Sequence, residues 1–179
     1  MFYIACTRFT TSNYKDNIDY RVKHNVEVIY GAPIQIRNKY PAGSFLFVAE
    51  MNNETNKIEG VGLIKNLLVV NKHKIYDNNE YIRYQYCGKY WLSREKLDAI
   101  DIEISEIFDN ILFKGKSHLK RISGITVLTD KLFTNWNYEL CDLKNKVKRA
   151  FLFNFKCSNN VFETSINEET VEIIKKGKY

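Results

Sequence analysis

Between residues 43 and 64 the apolar positions fall into two runs of strand length. They are Ser44-Phe45-Leu46-Phe47-Val48-Ala49 and Ile58-Glu59-Gly60-Val61-Gly62-Leu63-Ile64, with the polar turn Asn52-Asn53-Glu54-Thr55-Asn56 between them. Two such runs around an Asn-rich turn predict a β-hairpin. Gly60 and Gly62 alternate on one face of the second run. They predict either a sharp bend in a small closed sheet or side chains packed on bare backbone. Ahead of the hairpin, residues 2–6 read as a strand, and Tyr14, Ile18 and Val22 recur at helical spacing. Thr11, Ser12 and Asn13 offer capping oxygens for that helix, Asp16 suits its first turn and Asn25 its end. A strand over residues 26–30 follows, closed by Gly31-Ala32-Pro33, and Tyr40-Pro41-Ala42-Gly43 turns into the hairpin.

Beyond the hairpin, Leu67-Leu68-Val69-Val70 extends the predicted sheet, and residues 71–79 form a polar loop. Ile82, Tyr84 and Tyr86 alternate as one face of a half-buried strand. Cys87-Gly88-Lys89 turns it towards a partner strand, Tyr90-Trp91-Leu92. Ser93 caps a short helical turn through Leu97. Ile100, Ile102 and Ile104 fit strand and helix equally, whereas residues 105–112 fit a helix. Residues 122–128 return to strand, Thr129-Asp130 opens a short helix through Phe133, and Leu140, Leu143, Val147, Ala150 and Phe151 mark an amphipathic helix. The pattern therefore predicts an α+β domain over residues 1–157, with residues 158–179 as a C-terminal extension that turns helical over 168–176.

Length and composition narrow the class. The 179 residues suffice to bury a substantial core, and two prolines with eight glycines argue against a low-complexity chain. No apolar run approaches the roughly 20 residues of a membrane span, and the N-terminus lacks the pattern of a signal peptide. An intracellular protein, cytoplasmic, nuclear or packaged in a virion, is expected. The abundance of Asn, Lys, Ile and Tyr suits an AT-rich genome such as those of many large DNA viruses. Cys6, Cys87, Cys141 and Cys157 have no C-x-x-C spacing and read as buried thiols. The net charge of +6 is unevenly placed. Lys114, Lys116, Lys120 and Arg121 form one cluster without an acid, and Lys144, Lys146, Lys148 and Arg149 form another. These eight charges exceed the chain total, so the remainder is slightly acidic, and the clusters point to an anionic partner.

Enzyme chemistry finds little to build on. His24, His73 and His118 are isolated, which leaves no spaced metal ligands, and no nucleophile elbow, phosphate loop or dinucleotide motif occurs. Asp101 and Glu103 read as exposed acids between isoleucines. No cofactor is expected.

The order of these segments resembles that of PUA-like barrels of the EVE and YTH kind. The likeness covers residues 2–133. It rests on Thr7-Arg8 after the first strand, Tyr20-Arg21-Val22-Lys23-His24-Asn25 before the next, the hairpin, the run Tyr84-Gln85-Tyr86-Cys87-Gly88-Lys89-Tyr90 with Leu92-Ser93-Arg94-Glu95-Lys96-Leu97, and the basic stretch into Ser123-Gly124-Ile125. The resemblance implies a closed PUA-like β-barrel with flanking helices and a non-catalytic nucleic-acid-binding role. RNA or a single strand is the implied partner, since a splayed base is easiest to capture there. Lys114, Lys116, Ser117, His118, Lys120 and Arg121 would hold the phosphate backbone. Thr7, Arg8, Tyr30, Tyr76 and Tyr81 would border a pocket for one base, modified in the YTH case. The YTH tryptophan near residues 26–30 has no counterpart here; Trp91 and Trp136 stand elsewhere. A structural or interaction protein, such as a virion component, is the rival expectation, and a nuclease a third.

Overall fold

The computed structural model describes residues 2–155; Cys157, the extension 158–179 and its predicted helix lie outside them. Ten main elements follow in order: β1 (Phe2–Phe9), α1 (Thr11–His24), β2 (Val28–Ala32), β3 (Phe45–Asn52), β4 (Lys57–Lys65), β5 (Tyr84–Gly88), β6 (Tyr90–Ser93), α2 (Arg94–Phe113), β7 (Thr126–Val127) and α3 (Leu140–Phe155). A mixed five-stranded sheet runs β6-β4-β3-β1-β7, and β2 pairs with β5 in a separate two-stranded sheet. β1 and β3 are parallel, with Phe2 opposite Phe45 and Thr7 opposite Glu50. The other pairings are antiparallel. Among the described residues the expected closed barrel is not formed, because β5 and β6 join different sheets and leave β6 as an edge.

Two cores flank the large sheet. On one face Ile4, Cys6, Phe47, Ala49 and Met51 pack with α2 and α3 through Leu97, Ile104, Phe108, Val147 and Phe151. On the other, Ala5, Phe9, Leu46 and Val48 meet β2 and β5 through Val28, Tyr30 and Tyr86. Period-2 alternation thus feeds both cores from the same strands.

The predicted hairpin is β3–β4. Its register slips between Ala49 and Met51, where Ala49 faces Val61 but Met51 faces Ile58. β4 therefore carries one extra residue opposite Glu50, at Glu59-Gly60. α2 holds the bulge from outside: Ile58 N–H donates to Asp109 Oδ1 at 2.9 Å, and Arg94, paired with Asp109 at 2.8 Å, donates to the Ile58 carbonyl.

α2 settles the ambiguous isoleucines as helix. It starts at Ser93, whose side chain accepts from the Lys96 amide, and breaks once at Asp101 (φ −160°, ψ 99°), where the carboxylate accepts from the Glu103 amide and caps the second half. Four predicted strands need correction, and the one over residues 122–128 shrinks to the two residues of β7. Residues 67–70 form a loop with Leu67, Leu68 and Val70 exposed. Residues 79–82 make a 3₁₀ turn ahead of β5. The strand at Tyr90 pairs with β4 rather than with its neighbour β5, because a Cβ on Gly88 would lie 1.8 Å from the Leu63 carbonyl oxygen and the chain crosses between sheets there.

Candidate functional site

α1 begins at Thr10, whose hydroxyl accepts from the Asn13 amide at 3.2 Å, and ends at Asn25, which turns left-handed (φ 52°). Its inward face is polar. Asn17 and Arg21, one turn apart, are its buried residues, whereas Val22, expected in the core, is 79% exposed. Asn17 donates to the Ile29 carbonyl and to the Tyr76 hydroxyl, both at 2.8 Å. Arg21 reaches Glu50, which is 0% exposed, at 2.5 Å.

Glu50 is the centre of a convergent cluster. Its Oε1 accepts from Arg21 Nη2 and, at 2.7 Å, from Tyr30 Oη. Its Oε2 accepts from Trp91 Nε1 at 3.0 Å and from Tyr14 Oη at 3.3 Å. The two hairpin glycines make the room. A Cβ on Gly62 would lie 2.3 Å from Tyr30 Oη, and one on Gly60 would lie 2.9 Å from Trp91 Nε1. Close packing against bare backbone is found at both glycines, and Gly60 also sits at the bulge. The Arg21 guanidinium carbon stands 5.5 Å from the Tyr30 ring centre and 5.7 Å from that of Trp91, while Nε and Nη1 are buried without a hydrogen-bond partner. Two ring faces share the charge that Glu50 does not neutralise.

The electrostatics follow from that enclosure. Burial, then the charge of Glu50, push the Tyr30 and Tyr14 hydroxyls well above the ordinary 10.0. Burial opposes the charge on Arg21, but Glu50 more than restores it and the group stays cationic. Every hydroxyl here is a proton donor already committed to one carboxylate, so the cluster offers neither a free base nor a nucleophile. Burial likewise pushes the Cys6 thiol far up, which leaves it inert. Among the described residues no group of three or more His, Cys, Asp or Glu is placed to hold a metal ion.

The base-pocket residues read from the sequence gather around this cluster as packed core. Thr7 is buried on the Glu50 face of the sheet. Tyr30 is 0% exposed and offers no ring face to a base, because the ring is enclosed in the core and its hydroxyl, over Gly62, serves Glu50. Tyr76 is buried, with Tyr81 edge-on to it at 5.6 Å. Arg8 is exposed, apart from them. An open hollow of about 380 Å³ does exist at the far end of α1, lined by Arg21, Asn25, Glu27 and Trp91 among others.

The basic segment follows α2 as a fastened loop. Lys114 donates to Asn110 Oδ1 at 2.8 Å, and Gly115 takes φ +75°. The Leu119 amide donates to the Leu112 carbonyl at 2.8 Å, and the Lys120 carbonyl accepts from Asn53 Nδ2 at 2.8 Å. Asn53 also donates its own amide to the Phe9 carbonyl, so the loop is moored to the β3–β4 turn and the end of β1, beside Arg8. Lys116, Ser117 and Arg121 are exposed, His118 and Lys120 partly so. Among the described residues the ion pairs involve none of Lys116, Lys120 and Arg121. The second basic cluster is partly neutralised: Lys146 pairs with both Asp101 and Glu103 at 2.7 Å. The loop and the hollow lie at opposite ends of α1, which at 1.5 Å per residue spans about 20 Å.

Arg21, Glu50 and Trp91 were not singled out by the sequence reading. A signal was present for Glu50: it continues the phase of Leu46 and Val48, so an acid falls where the strand buries its residues. Compared with known protein families, curated proteins and solved structures, the chain matches none.

Proposed function

We propose that this chain is a non-catalytic nucleic-acid-binding domain that holds the phosphate backbone with the 114–121 loop. The observation that carries this reading is the loop itself: exposed and half-exposed cations with no acidic partner among the described residues, on a backbone fixed to the sheet through Asn53. Phosphate binding needs that combination, since flexible paired lysines gain little from a polyanion whereas a positioned, unpaired set releases counterions. The committed donors around Glu50 support the non-catalytic part. The EVE and YTH likeness remains part of the proposal, with its base pocket moved. Where a base is captured, the open hollow beside Trp91 suits it better than the fully buried Tyr30 site, because an aromatic side chain and the polar Asn25 are in its lining.

Binding of fluorescent single- and double-stranded oligonucleotides across a salt series tests the reading. Replacing Lys116, Lys120 and Arg121 by alanine should weaken every oligonucleotide alike. On single strands it should flatten the slope of log affinity against log salt by about 2. Unchanged affinity and slope would leave the loop as solvated surface. A protein-interaction role is the second reading, favoured by Leu67, Leu68 and Val70, which stand 54%, 45% and 92% exposed on one loop.

A further inference from the structure

Away from both the loop and the hollow, lysines lie over aromatic rings where β1 and β3 begin. Lys148 Nζ is 5.8 Å from the Phe2 ring centre, and Lys65 Nζ is 5.0 Å from that of Phe45. Lys39 Nζ is 5.0 Å from the ring of Tyr40, and Lys144 approaches Tyr3 at 5.9 Å. The two groups meet at the sheet end from its opposite faces. On the α2/α3 side Phe2 and Phe45 are register partners and Phe45 faces Lys65; on the β2/β5 side Tyr3 packs edge-on to Tyr40 at 4.9 Å. Asn66, next to Lys65, donates to the Tyr40 carbonyl at 3.0 Å. The rings are partly exposed, neither core nor fully outside. The chain segments that build this surface, residues 2–15, 33–49, 60–76 and 143–155, contain no aspartate or glutamate. Acids border it, with Asp142 beside Lys148 and Lys146 paired to Asp101 and Glu103, so the surface is basic on balance.

We infer that this surface is a track for single-stranded nucleic acid, on which unpaired bases stack against Phe2, Phe45 and Tyr40 while the overlying lysines swing to the phosphates. The inference rests on the nucleic-acid reading above and adds to it a second surface and a strand preference. Ring and cation interleaved are what a single strand requires: every base has a face to stack, and every step carries a phosphate for a flexible ammonium. A duplex keeps its bases stacked on one another and would gain only the charge. An anionic membrane would also meet the lysines. It favours protruding apolar side chains, whereas these rings are seated edge-on in the sheet end, Phe2 against Phe47 at 5.6 Å.

The test uses the whole chain, a 20-nucleotide oligo-uridine, its duplex with oligo-adenosine, and phosphatidylserine vesicles. Changing Lys39, Lys65 and Lys148 together to glutamine should lower single-strand affinity at least tenfold and duplex affinity much less. The Lys116, Lys120 and Arg121 variant should still crosslink at the sheet end. Photocrosslinking of 4-thiouridine strands to the unaltered protein gives a readout independent of any variant's folding, with adducts expected on the peptides holding Phe45 and Tyr40. Oligonucleotide binding with adducts only elsewhere, or with full affinity in a folded glutamine variant, overturns the track and leaves the loop reading intact. Capture by vesicles without oligonucleotide binding overturns it in favour of a lipid surface. Absence of binding to any nucleic acid removes the proposed function, and the track with it.

Discussion

Replacing Glu50 by alanine leaves Arg21 charged, buried and without its carboxylate, a change expected to cost about 3–5 kcal/mol in urea unfolding. Tyr30→Phe removes one donor to the same carboxylate and should cost less, about 1.5–3 kcal/mol. The order of the two losses is the check, since a cluster that merely fills space would penalise loss of the phenol oxygen hardly at all. The same enclosure fixes an alkaline limit. Tyr14, Tyr30 and Tyr76 all keep their protons in the fold beyond the ordinary 10.0, burial being the first cause. Above about pH 10 the unfolded chain sheds those protons while the native state retains them. The unfolded state then binds fewer, and stability falls with rising pH. These three of the chain's 12 tyrosines should ionise only with unfolding. The ultraviolet titration difference between the protein and its Tyr14→Phe, Tyr30→Phe and Tyr76→Phe variants should therefore fall in the unfolding step, and a difference that appears before unfolding would contradict it. At this scale the sequence spoke unevenly. Asn25 announced the end of its helix because left-handed backbone suits that residue type. The inward face of α1 was read only in part: Tyr14 does face inward, but Val22 does not, because the partner across the gap was an acid that Arg21 meets instead.

Among the elements, β4 and β5 meet where neither has a side chain to spare. Gly88→Ala would drive a methyl group against the Leu63 carbonyl, a backbone atom that cannot rotate away. It should therefore cost more than the 1–3 kcal/mol usual for overpacking. Gly62→Ala meets the ends of Tyr30 and Val28 instead and should stay near that range. Comparing the two by thermal unfolding separates backbone contact from side-chain contact. The hairpin was legible because its two runs, its turn and its glycines all agreed. The partner of residues 90–92 was not. Adjacency along the chain favoured β5, and only the three-dimensional approach of Gly88 to Leu63 sends the next strand to the other sheet. Residues 67–70 failed for a related reason: an apolar run predicts burial, but here the register of β4 ends at Lys65, and the segment touches the β5 edge through the Val69 amide and the Gln85 carbonyl at 2.8 Å without extending into a ladder.

For the molecule as a whole, the α+β class was readable from the alternation of periods, while barrel closure was not. Closure depends on which strands share an edge, a long-range property that local pattern does not encode. The basic loop was readable as charge. Its mooring by Asn53 was not, since one amide side chain in a turn says nothing of a carbonyl at residue 120. Topology also bears on how the chain is made. β1 lies inside the large sheet, between β3 and the two-residue β7, with Ala5 opposite Val127. β1 leaves the ribosome ahead of the other described strands, yet it is among the last to gain both neighbours, and its β7-facing edge stays open while more than a hundred further residues are added. Nascent chains halted at residue 120 should remain sensitive to protease in β1 and bind chaperones, whereas chains extended through residue 155 should become resistant. Translation speed between those two points then becomes a determinant of yield, and synonymous codons that slow it should lower the soluble fraction without altering a single amino acid.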